Sequence, residues 1–164
     1  MNDFKQTKWW LYLDEPMRDL VEESFTLLGQ EESRLRQGSG EPRHDYSFVV
    51  FPIAKAYEGF LKKLFLDMGL ISQSQYVGEH FRIGKALNPN LPKRYRSGWV
   101  FGKLVESCGG GAELPLRMWE VWKRARNRIF HFFPDHHEFI GLEEAGELVT
   151  GVAQVMDEAM SCRT

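Results

Sequence analysis

Apolar residues along this chain recur at intervals of three and four almost throughout, the period of α-helices with one buried face. Asp14-Glu15-Pro16 reads as a helix start, with an acidic cap region followed by proline in the first turn. Leu20, Phe25 and Leu27-Leu28 follow, and the stretch Gln37-Gly38-Ser39-Gly40-Glu41-Pro42 ends that segment. Before it, Trp9-Trp10-Leu11-Tyr12-Leu13 forms either a short strand or an apolar arm packed on the helices.

A second helix is predicted from near Pro52 to Met68, with Ile53, Tyr57, Phe60, Leu64 and Met68 on its apolar stripe. A third runs from Ser72, where Ser72 and Gln75 have capping-box spacing, to about Leu87. A short helix around Trp99–Ser107 stops at Gly109-Gly110-Gly111. The next opens at Pro115 and ends by Pro134. A last amphipathic helix covers Leu142 to Met160. Neither internal repeats nor a sheet-like alternation is present. The predicted fold is all-α, a compact bundle of about five helices in one domain. Residues 1–45 form an N-terminal segment packed on a helical domain of residues 46–164.

One position breaks the apolar pattern. Trp119, Trp122, Arg126, Ile129 and Phe133 share a helical face, and Arg126 is the only charge among them. An arginine in an apolar stripe needs a partner or a purpose. On an ideal helix His131 lies roughly 140° around from Arg126 and about 7.5 Å along the axis, with Asn127 between them. Arg126 and His131 therefore flank a cleft rather than touch, unless a symmetric dimer brings two such sets together.

Composition narrows the functional classes. The chain has 164 residues, 43% hydrophobic, and a net charge of −2, which argues against a general nucleic-acid binder. The charge is unevenly placed, however. Residues 1–45 carry 6 basic and 10 acidic groups (−4), residues 46–133 carry 14 and 6 (+8), and residues 134–164 carry 1 and 7 (−6). A basic centre between acidic ends suits an anionic ligand, or is simply charge spread over solvated faces. No run is apolar enough to span a bilayer, and the N-terminus lacks a signal-peptide core, so a cytoplasmic protein is expected. The two cysteines, Cys108 and Cys162, have no metal-ligand spacing and read as two reduced thiols in a cytoplasm. His131, Asp135, His136 and His137 are split by Pro134, which leaves no defined metal site.

Arg126-Asn127 followed by His131, late in a small helical domain and before one more amphipathic helix, resembles the HEPN superfamily. The three residues match its Arg-polar-x3-6-His signature. Ala56-Tyr57-Glu58-Gly59-Phe60-Leu61-Lys62-Lys63-Leu64-Phe65 is similar to the helix preceding that motif in RNase LS-type bacterial toxins. The likeness spans roughly residues 46–160. It implies a metal-independent endoribonuclease that works as a homodimer without a cofactor, restrained by an antitoxin protein, with Arg126, Asn127, His131 and Glu58 in the site.

The residue types suit that chemistry. An imidazole can exchange a proton with the 2′-hydroxyl or the leaving oxygen. A guanidinium can hold the charge that develops on phosphate oxygens. Asn127 can orient the imidazole or hydrogen-bond a phosphate oxygen. Glu58, on the stripe Ala54, Glu58, Leu61 and Phe65, can pair with Arg126, or instead with Lys62 one turn away. Arg124 and Arg128 are candidate RNA-phosphate contacts, as are Lys93, Arg94 and Arg96, with Tyr95 available for stacking. A binding module without catalysis, or a helical domain whose Arg126–Glu58 pair is structural, are the alternatives.

Overall fold

The computed structural model describes residues 4–131, 134 and 139–163. Among them there are eight α-helices and no strand: α1 Lys8–Tyr12, α2 Glu15–Arg36, α3 Ser47–Asp67, α4 Gln73–Val77, α5 Ile83–Leu87, α6 Phe101–Ser107, α7 Glu113–Trp122 and α8 Leu142–Ala159. The expected all-helical bundle is therefore what forms. Three of its members are mere single turns.

The long helix α3 is the centre. Val49, Val50, Ile53, Tyr57, Phe60, Leu61, Leu64 and Phe65 on it are buried, with α2 and α8 packed along its sides. Each large apolar side chain so buried contributes roughly 1.5–3 kcal/mol. The segment Trp9–Leu13 is a helical arm rather than a strand, and Trp9, Trp10 and Leu13 join the same core.

Helix α3 starts five residues before Pro52, which was expected near its beginning and instead lies inside it. Proline removes a helix donor and crowds the preceding turn. The fold answers with a bond from outside the helix: the Ile53 N–H donates to the hydroxyl of Ser24, a fully buried residue of α2, at 2.9 Å. Ser24→Ala would remove that acceptor from a dry environment. It is expected to lower stability by about 1–3 kcal/mol, read as a shift in the urea midpoint at unchanged m-value.

The glycine-rich linker after α2 is held by one carboxylate. Glu31, only 7% exposed, accepts from Arg34 and from Arg43, each at 2.9 Å, and Arg34 also donates to the Glu41 carbonyl. The Arg43 hydrogen bond, followed by the contribution of Arg34, pulls the Glu31 carboxyl below its ordinary value of 4.5. A depressed carboxylate stabilises the fold above the unfolded-state value, and that contribution fades as pH falls through the folded-state value. Wild type should thus lose more stability than Glu31→Gln between about pH 6 and pH 3. Urea titrations at both pH values measure the difference.

Two local expectations fail. The helix predicted from Ser72 to Leu87 is divided, because Gly78 takes an extended conformation (φ −76°, ψ 148°) and ends α4 one turn after its capping box. The cysteines are not separate thiols: Cys108 after α6 and Cys162 in the final 3-10 turn form a disulfide across 54 residues. The thiol argument for a cytoplasmic setting falls away with them. No helix among the described residues is long and apolar enough to cross a membrane.

Candidate functional site

The motif helix does not stay α-helical. After Trp122 the chain widens into π-helical turns over Lys123–Arg128, where each N–H reaches back five residues instead of four. The ideal-helix extrapolation from Arg126 to His131 therefore does not hold. The cause is an extra residue per turn, which a periodic apolar stripe cannot reveal.

One buried anchor holds α7 just ahead of this segment and another lies within it. The Tyr57 phenol donates to the Met118 carbonyl at 3.0 Å, and burial keeps its proton bound well above the ordinary range. Ala125, next to Arg126, is fully buried. Beyond the motif the chain returns to the start of α3. Tyr46 N–H donates to the Ile140 carbonyl at 3.0 Å, and Ile140 N–H to the Asp45 carboxylate at 3.1 Å. The motif is thus bound to α3 on both sides.

Between these anchors Arg126 meets Glu58, Nε to Oε2 at 3.6 Å. This is the pairing anticipated from sequence, and it is not the alternative pair of Glu58 with Lys62. Neither residue is core, though: the side chains are 42% and 34% exposed. They sit at the lip of a cleft of about 360 Å³ lined by Phe51, Lys55, Glu58, Gly59, Lys62, Arg126 and Phe130. Arg126 lies 5.6 Å over the Phe130 ring, and Phe130 meets Phe51 edge to face at 5.3 Å. Among the described residues, Lys55 and Lys62 have no carboxylate within 4 Å. Three cations against one carboxylate, with two aromatic walls, make a surface suited to a phosphate beside a base.

Phe51, Lys55, Glu58 and Lys62 are spaced four, three and four apart, one face of α3. Sequence reasoning placed Glu58 on a buried stripe with Ala54, Leu61 and Phe65; those three are buried, while Glu58 stands at the edge beside the lysines. A charged stripe at helical spacing on an otherwise apolar helix was the signal for Lys55 and Lys62.

The other expected residues are dispersed. His131 is exposed in a bend directly after Phe130, and it is not among the residues lining the cleft. Arg124 is exposed and also outside the lining. Asn127 and Arg128 belong to the π-helical turns, but their side chains lie outside what the structure describes, as do Phe133, Asp135, His136 and His137 altogether. Lys93 and Arg94 are exposed on a 3-10 turn, with Arg94 4.8 Å over Tyr95. Arg96 is already engaged: its Nε donates to the Leu91 carbonyl at 2.8 Å and its guanidinium lies 4.1 Å over Trp99. None of these three lines the cleft.

Set against known families, curated proteins and solved structures, the chain matches no family model, no curated sequence and no solved fold.

Proposed function

We propose that this protein is a metal-independent endoribonuclease of the HEPN toxin type, acting on RNA at the Arg126–Glu58 cleft. The observation that supports it most is the half-exposed pairing of Arg126 with Glu58 on a cationic, aromatic-walled cleft. The pair stands half-exposed beside Lys55 and Lys62, which among the described residues have no carboxylate within 4 Å. The RNA backbone would lie along Lys55, Lys62 and Arg126, with a base against Phe51 or Phe130.

In the reaction, His131 takes the proton of the 2′-hydroxyl, and the 2′-oxygen forms a bond to the adjacent phosphorus. The bond to the 5′-oxygen breaks, and that oxygen takes its proton from the imidazolium of the second copy's His131 as it leaves. The products are a 2′,3′-cyclic phosphate and a 5′-hydroxyl. Arg126 stabilises charge on the phosphate oxygens, and Glu58 holds the guanidinium in place. A second copy of the chain would supply the complementary His131 to each Arg126 in a composite dimer site. An antitoxin protein would cover that site in the resting cell.

One observation favours a second reading: His131 does not line the cleft of the single chain. A module that binds RNA without cutting it fits that arrangement equally well. Incubating mixed RNA with pure protein in excess EDTA separates the two. Fragments ending in 2′,3′-cyclic phosphate are expected; retained but intact RNA would support the binding module.

A further inference from the structure

A second cavity, of about 270 Å³, lies between α4, α5 and the turn at Ser97-Gly98, and the motif plays no part in it. Its lining includes His80, Arg82, Lys85, Gln75, Ser74 and Ser97. From His80 to Val105 the sequence has no Asp or Glu at all, while it has Arg82, Lys85, Lys93, Arg94, Arg96 and Lys103. Among the described residues, no carboxylate lies within 4 Å of the Arg82 or Lys85 nitrogens.

Ser74, His80, Arg82, Lys85 and Ser97 are exposed at this cavity, and the bonds around it leave several donors unused. Gln75 uses its carbonyl oxygen to accept from Ser72 N–H at 2.9 Å, so its amide nitrogen is the end left to donate. That nitrogen lies beside Gly98: a Cβ there would sit 3.4 Å from it. Gly98 has φ +75°, a conformation in which glycine carries no steric cost. The turn is fixed on its far side by Val100 N–H to the Ala86 carbonyl at 2.9 Å and by Trp99 Nε1 to the Asn88 carbonyl at 2.8 Å. Arg82 gives one nitrogen to the Glu79 carbonyl at 2.8 Å, which steadies its guanidinium and leaves its other donors.

We infer that this cavity is a phosphate-binding site for the phosphate group of a nucleotide or an RNA strand. The Ser74 hydroxyl is shared with Ser72 at 2.9 Å, while two cations, a histidine, an amide donor and the Ser97 hydroxyl offer donors from several directions. That suits the four oxygens of a tetrahedral phosphate better than the two of a carboxylate. The volume falls just under the roughly 300 Å³ at which sites for drug-sized ligands begin, enough for a phosphate and its sugar. The site also backs onto the motif helix. Gly84 of α5 packs so closely on Trp122 that an added Cβ would come within 2.4 Å of the ring, and Trp122 immediately precedes the π-helical turns.

The test is binding, which needs no cleavage. Inorganic phosphate, adenosine, adenosine 5′-monophosphate and a short 2′-deoxy-substituted RNA would be titrated calorimetrically into wild type and the double variant R82Q/K85Q. Wild type should bind phosphate and the nucleotide but not adenosine, and the double variant should bind each at least tenfold more weakly. Equal affinities for phosphate and nucleotide assign the site to the phosphate group alone; a tighter nucleotide or RNA identifies the source. In case the double variant misfolds, amide shifts of the wild type on phosphate titration should concentrate at Gln75, Gly98 and their neighbours. Shifts confined to other surfaces, or affinities within twofold between wild type and a folded double variant, overturn the assignment.

Discussion

His131→Ala is expected to reduce RNA cleavage by about 10²–10⁴-fold, the usual contribution of a positioned general acid or base. Arg126→Ala should cost about 10²–10³-fold, as removal of one charge-stabilising donor does, and Arg126→Lys should recover little because a point charge does not reproduce the guanidinium fork. Stability is the discriminating readout. Ion pairs as exposed as Arg126–Glu58 contribute at most about 1 kcal/mol, so the urea midpoint of Arg126→Ala should stay close to wild type. The urea midpoint of His131→Ala, measured beside it, shows whether that variant is folded when its activity is read. If Arg126→Ala instead unfolds the protein, the pair is structural and the catalytic assignment fails. If both variants fold and cleave like wild type, the motif has no part in chemistry.

Much of the fold was legible in the sequence because its signals are local. Asp14 and Pro16 marked the start of α2, and Ser72 with Gln75 formed the predicted capping box. The apolar stripe of Ile53, Tyr57, Phe60 and Leu64 identified the central helix. What failed depended on choices that periodicity does not encode. Gly78 can continue a helix or leave it extended, and the apolar period does not distinguish the two. Pro52 reads as a boundary when its cost inside a helix is weighed without Ser24, which lies 29 residues from Ile53 and accepts from its N–H. Arg126 and Glu58 were found together from sequence, yet their openness was not. An apolar stripe says which face is inward, whereas π-helical turns over Lys123–Arg128 shift the register of that face.

Removing the Cys108–Cys162 bond should produce the largest loss of stability of any change considered for this chain. Neither cysteine signalled a partner in sequence, since pairing depends on where α6 and the C-terminal turn meet. Their Cα atoms lie 4.5 Å apart, within the range a disulfide bridges. Closing a loop of 54 residues restricts the unfolded chain by about 4 kcal/mol in the chain-entropy treatment. For a domain of this size each kcal/mol moves the melting temperature by about 2–4 °C, so reduction should lower it by roughly 8–16 °C. The paired variant C108A/C162A should melt with the reduced protein and ignore reductant, because alanine leaves neither thiol nor buried hydroxyl behind. Scanning calorimetry with and without reductant, beside a thiol titration of the native protein, measures both. A native protein with two reactive thiols and a melting point indifferent to reductant would show that the bond does not contribute. The cleft is assembled from α3 and the motif segment, not from α6, so the reduced protein below its melting temperature should still engage RNA.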